Sequence, residues 1–158
     1  MATSIDDLTV DLFKSRLLRT DEEIETFESS LESLFAKEQI ELVYNMCVGF
    51  DDRSEQFDVT YNVLHSIEYF FKKNPVAYFN QIFKVLSDNL LDPHAIEWRE
   101  KIIKRIINNE KGRSIFLDSL PQAPVIAKGQ VKKIALELIA RNPDQFKESA
   151  SQVLLFVD

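Results

Sequence analysis

The sequence predicts an all-α fold, with antiparallel helix hairpins stacked as a short HEAT-like α-solenoid of about eight or nine helices. Three observations predict it. First, residues 54 to 71 wind into one strongly apolar helix. At about 100° per residue, Phe57, Val59, Tyr61, Val63, Leu64, Ile67, Phe70 and Phe71 cover an arc of about 200°, which is expected of a central, mostly covered helix. Second, Asn74-Pro75, Asp92-Pro93 and Asn142-Pro143 each place a capping residue directly before proline. Asn or Asp satisfies orphan backbone donors, and proline at the first helical position loses no intrahelical hydrogen bond. Third, two of these starts resemble copies. Asn74-Pro75 is followed by Tyr78 and by Val85-Leu86, and Asn142-Pro143 by Phe146 and Val153-Leu154 at the same offsets, 68 residues further on. That interval equals two helix pairs of about 34 residues each, a repeat length typical of α-solenoids.

Taken in order, residues 5 to 18 form a first helix capped by Ser4, with Ile5, Leu8, Leu12, Phe13 and Leu17 on its apolar face. Thr20 and Glu23 make a capping box for a second helix whose stripe is Ile24, Phe27, Leu31, Leu34 and Phe35. A break at Ala36 to Glu38 leads to a third helix bearing Ile40, Val43, Met46 and Cys47, ending near Gly49. The loop from Phe50 to Ser54 follows, and Ser54 is expected to cap the central helix. The Asn-Pro and Asp-Pro starts then open helices over about 75 to 90, 93 to 109 and 143 to 157. A shorter helix over Lys111 to Leu120 turns Ile115, Phe116 and Leu120 inward. Pro121 and Pro124 hold an extended connection before a helix from Val125 or Lys128 to Arg141. No strand pattern or glycine-rich hairpin turn competes with this assignment.

At 158 residues the chain reads as one domain, residues 1–158, able to bury about two thirds of its unfolded surface. One cysteine, Cys47, permits no internal disulfide and marks no oxidising compartment. There is no apolar run of membrane-spanning length and no charged-then-apolar leader, so a cytoplasmic location without membrane association is expected. The net charge of −7 is uneven: residues 1 to 60 hold 15 acidic and 5 basic side chains, and the remainder 11 and 14. Such asymmetry can steer a basic partner onto the first half, although acidic helix starts and solvated faces give the same pattern.

Signals for catalysis are thin. Three glycines, Gly49, Gly112 and Gly129, cannot build a phosphate-cradling loop. His65 and His94 lie on separate helices and Cys47 has no cluster around it, so no zinc spacing exists and no cofactor is expected. His65 with Glu68 at i, i+3 is half of a helical acid-base or metal site; in a single copy it reads as a helix-face histidine. Glu68 itself falls inside the apolar arc, about 20° from Phe57, where an unpaired carboxylate would be costly. On the helix from Pro93, Ala95, Trp98, Ile102, Ile103, Ile106 and Ile107 define the buried side; Arg99 falls within it and Arg105 borders Trp98. Glu68 is therefore expected to pair with Arg99 or Arg105 and fix the register of adjacent helices. Arg99, Lys101, Lys104, Arg105, Lys111, Arg113, Lys128, Lys132 and Lys133 form a basic set that could contact phosphates. The aromatics are spaced as core, however, and the whole chain is acidic.

Asp51-Asp52, then Leu64-His65-Ser66-Ile67-Glu68-Tyr69-Phe70, then Ala95-Ile96-Glu97-Trp98 followed by Arg105-Ile106-Ile107-Asn108, resemble the pattern of immunity protein family 30 over about residues 20 to 157. The order and spacing carry the resemblance; Ile106-Ile107 in place of Ile-Leu is a mild departure. These are small all-helical antidotes encoded beside toxins in bacterial polymorphic-toxin and contact-dependent inhibition systems. The resemblance implies stoichiometric, one-to-one binding of a cognate toxin domain rather than catalysis, with the shared pattern marking the fold core. On charge, Asp51, Asp52, Glu55 and Asp58 beside Asn62, His65 and Tyr69 form the expected toxin contact. A helical-repeat scaffold or nucleic-acid-binding regulator using the basic second half is the alternative, with an enzyme third.

Overall fold

The computed structural model describes residues 3–158, which form nine α-helices and two short 3-10 turns with no strand among the described residues. In order these are α1 (Ile5–Ser15), α2 (Asp21–Phe35), α3 (Leu42–Met46), α4 (Phe57–Lys73), α5 (Pro75–Ser87), α6 (Ile96–Asn108), α7 (Glu110–Ser119), α8 (Val125–Arg141) and α9 (Pro143–Leu154). The 3-10 turns are Cys47–Gly49 and Leu120–Gln122. Consecutive helices pack as pairs, α1 on α2, α4 on α5, α6 on α7 and α8 on α9. Further packing of α2 on α4, α5 on α7 and α6 on α8 joins the pairs into a solenoid-like stack.

One device makes three of the four corners. A single asparagine separates α4 from α5, α6 from α7 and α8 from α9, and its carboxamide oxygen accepts from the backbone N–H three residues on. Asn74 accepts from Ala77 at 3.2 Å, Asn109 from Gly112 at 2.7 Å, and Asn142 from Gln145 at 3.4 Å. Two of these corners are visible in the sequence as Asn-Pro. The middle one is not, because Glu110 takes the proline position, yet it halves the 68-residue interval into the two repeats expected.

Several expected boundaries shift, each for a physical reason. The helix expected from Pro93 begins only at Ile96, because residues 89 to 95 are turns that bury Leu91 and Ala95, and its cap comes from elsewhere in the chain. Ser54 does not cap α4. Gln56 holds the cap position without a side-chain bond, while the buried Ser54 hydroxyl accepts from the Thr60 hydroxyl at 2.9 Å. The first helix stops at Ser15, and a turn with Leu18 in the left-handed region (φ 53°) buries Leu18 instead of Phe13. Phe13 lies outside under the Arg16 guanidinium, 3.9 Å from its ring centroid. Glu23 reaches back as a capping box requires, but to the N–H of Arg19 rather than of Thr20.

The central helix α4 buries Val63, Leu64, Ile67 and Phe70 as its periodicity requires, and Thr60 with them; Phe57, at its first turn, stays 49% exposed. Gly49 lies where α1, α2 and α4 converge. A Cβ there would stand 3.2 Å from Phe27 and Val63 and 3.3 Å from Leu12, so the close approach of these side chains depends on a bare backbone. Beyond α4, an aromatic chain of Phe71, Tyr78, Phe79, Phe116 and Phe83 ties α5 to α7. Among the described residues no helix is long and apolar enough to cross a membrane.

Candidate functional site

The acidic loop between α3 and α4 turns inward. Asp51 is 0% exposed, and its carboxylate accepts from Arg16 Nε at 3.0 Å, from Arg53 Nε and Nη2 at 3.1 and 3.0 Å, and from the Arg53 backbone N–H at 2.8 Å. Burial acts to raise its pKa, but the side-chain and backbone hydrogen bonds of Arg53, with the charges of Arg53 and Arg16, outweigh it and hold the carboxyl below its usual range. Asp52 caps α6 across 45 residues of chain. Its two oxygens accept from the N–H groups of Glu97 at 3.1 Å and Trp98 at 3.3 Å, and its own N–H donates to the His94 carbonyl at 2.8 Å. Both residues, expected on the contact face, are bound within the fold and tie the loop before α4 to the end of α1 and the start of α6. Asp52→Ala is expected to cost about 1–2 kcal/mol and Asp52→Asn much less, measured by chemical denaturation, because either oxygen-bearing side chain serves as a helix cap.

Glu68 does find an arginine, and it is Arg105. Arg105 Nε donates to Oε2 at 2.7 Å and Nη2 to Oε1 at 2.8 Å, a two-pronged bridge from α6 to α4. The hydrogen bonds that Arg105 donates to Glu68 raise its pKa further above an already basic value. Both side chains keep contact with water, so solvent screening limits the pair, and Glu68→Gln is expected to cost about 1 kcal/mol in the same assay. Arg99 goes elsewhere. Only 5% exposed, it makes no ion pair among the described residues and reaches the Gln130 carboxamide oxygen at 3.4 Å. Trp98, its neighbour in the same buried arc, is stacked on Phe50 and edge-on to Tyr61.

The remaining expected contact residues divide. Glu55 and Asp58 are exposed near the start of α4, away from any concavity lined with the others. Asn62, His65 and Tyr69 project from the middle of α4 into a groove of about 840 Å³ bounded by α2, α4 and α6, with Tyr78 of α5 beneath. Their side chains make no hydrogen bonds among the described residues. The opposite wall was not foreseen: Glu28 and Glu32 of α2 are both exposed, one turn apart, with Leu31 and Phe35 turned further inward. The Phe35 ring meets Tyr69 edge-on at 5.1 Å, and Glu68–Arg105 closes the far side. The available signal was α2 itself, whose 15 residues carry six acids and no base. Which helix faces α4 across a groove is a tertiary fact that one helical wheel does not contain.

Five of the nine basic side chains are engaged within the fold. Arg99 is buried, Arg105 is bound to Glu68, Arg113 Nη1 donates to the Ile107 carbonyl at 2.8 Å, and Lys132 pairs with Asp158. The Lys101 ammonium sits 4.7 Å from the Tyr61 ring centroid and 4.8 Å from that of Trp98. Cys47 is buried, which pushes its thiol up to about 12 and away from the reactive thiolate form. No group of three or more His, Cys, Asp or Glu side chains is placed to hold a metal among the described residues.

A family model described as Immunity protein 30 matches residues 14–116. The match begins inside α1 and ends inside α7, short of the residue 157 expected from the sequence, so α8 and α9 lie beyond it. It contains every wall of the groove. The segments that carried the resemblance also meet in space: Asp52 caps the start of the Glu97-Trp98 helix, and Glu68 binds Arg105. No curated protein and no solved structure matches the chain.

Proposed function

The chain belongs to the Immunity protein 30 family, and from that membership we propose that it binds and neutralises a cognate toxin domain by direct contact, one to one, in the cytoplasm and without catalysis. The family match supplies the class of partner. The contact is the groove of α2, α4 and α6, where Asn62, His65 and Tyr69 leave their polar groups unengaged against a mixed acidic and aromatic wall. Asp51 and Asp52 are withdrawn from this contact, since both carboxylates are already bound within the fold. Residues 1–158 act in this reading as one domain; of these, residues 1 and 2 lie outside the described residues.

Co-expression with the product of the adjacent toxin-like gene tests the reading. A one-to-one complex that restores growth is the expected result. A toxin that kills regardless, with no complex on size-exclusion chromatography, would remove it. Retention on RNA or DNA that weakens steeply with salt would favour the nucleic-acid regulator instead.

A further inference from the structure

Resting on the toxin-binding reading, we propose that the groove receives lysine or arginine side chains from a basic segment of the partner protein. Three features of the groove carry this. Glu28 and Glu32 stand exposed on one wall with no ion pair among the described residues, on a helix whose only paired acid is Glu23, bound to Arg19. Of the two cations that line the groove with them, Arg105 has both Nε and Nη2 committed to Glu68 and so does not neutralise them, which leaves Lys72 as the single opposing charge among the described lining residues. Between the walls lie the aromatic rings of Phe35 and Tyr69, and Tyr69 already holds a cation of this chain, with Lys73 Nζ 5.3 Å from its ring centroid. A carboxylate pair beside a π face suits a long cationic side chain, whose methylenes pack on the rings while its head reaches the acids.

The size fits side chains rather than a whole element: about 840 Å³ is the range that encloses most of a small ligand. Charge sets the direction of approach. The surplus of acids along α2 attracts a basic surface before contact, so it accelerates association and makes it sensitive to salt. Lys72, at the groove rim, opposes this, and its removal is expected to help.

The experiment measures association of the wild-type chain with the toxin domain encoded beside it, at low and high salt, and then of Glu28→Lys/Glu32→Lys, Glu28→Gln/Glu32→Gln and Lys72→Gln. Both glutamates are exposed, so the variants should keep the wild-type circular dichroism and melting curve. Association should slow about tenfold or more as salt rises. The reversal pair should raise Kd about 100-fold, the neutral pair less, and Lys72→Gln should lower it a few-fold. A wild-type complex that restores growth, yet binds unchanged in the reversal pair and is indifferent to salt, overturns the basic-segment proposal and leaves the toxin reading standing. No wild-type complex at all fails the toxin reading itself. A chain that self-associates through the groove, and is made monomeric by the reversal pair, overturns the proposal in favour of a second copy.

Discussion

Replacing Trp98 with alanine is expected to cost about 3–5 kcal/mol, enough to bring most small domains to the edge of unfolding. The residue is 1% exposed and lies at the centre of an aromatic cluster. Its ring stacks on Phe50 at 5.2 Å, meets Tyr61 edge-on at 5.1 Å and touches Phe57 at 5.9 Å. These contacts seal the junction of the acidic loop, α4 and α6, where the Trp98 backbone N–H also donates to the Asp52 cap, so alanine loses the transfer energy of the ring and leaves a cavity at this junction. The indole N–H is buried without an acceptor among the described residues, which makes a second substitution informative. Trp98→Phe removes that unsatisfied donor and keeps a flat ring, so it is expected to cost about 1 kcal/mol or less. Urea unfolding followed by helical circular dichroism measures both. Equal losses for the two variants would mean that the junction depends on the complete indole and that a smaller aromatic ring supplies none of its stability.

The two classes of residue in this protein differ in how much the sequence reveals. Helix existence was legible throughout, because apolar spacing and Asn caps act within one turn of the chain. The buried positions of α6 were read correctly down to Arg99, since the wheel of a single helix is enough to place them. What misled was acidity. Asp51 and Asp52 look like solvated charge, yet one neutralises two arginines and the other caps a helix 45 residues away. A remote cap leaves no local signature, and it also hid the start of α6, whose own cap residue, Ala95, has no side chain able to serve. Asn62, His65 and Tyr69 were legible as one face because they share the polar arc of one helix; that this face lines a groove was not. Glu28 and Glu32 required knowing that α2 faces α4. Choosing Arg105 over Arg99 for Glu68 was likewise undetermined, since one lies within the buried stripe and the other borders it, and only the stacking offset between α4 and α6 decides which one reaches.

Asp51→Ala is expected to destabilise by about 2–3 kcal/mol, because two arginines lose a buried carboxylate that accepted their hydrogen bonds, although Arg53, largely exposed, regains water. Arg16 is the more affected of the two: it is largely covered, and its remaining anchors are the Phe13 carbonyl and ring. Asp51→Asn keeps the shape and one acceptor, so it should lie between wild type and alanine. The charge contribution can be isolated by pH. The folded-state carboxyl is held below its usual range while the unfolded chain titrates near about 3.9, so the native state favours the ionised form. That stabilisation is fully present above about pH 5, and it is lost as pH falls through the depressed folded value. The deficit of Asp51→Asn relative to wild type should therefore be flat from neutrality down to about pH 5 and shrink below about pH 4, as the wild type gives up the same advantage. A deficit that persists unchanged into acid would locate the loss in shape and hydrogen-bond count instead of in the ionised carboxylate.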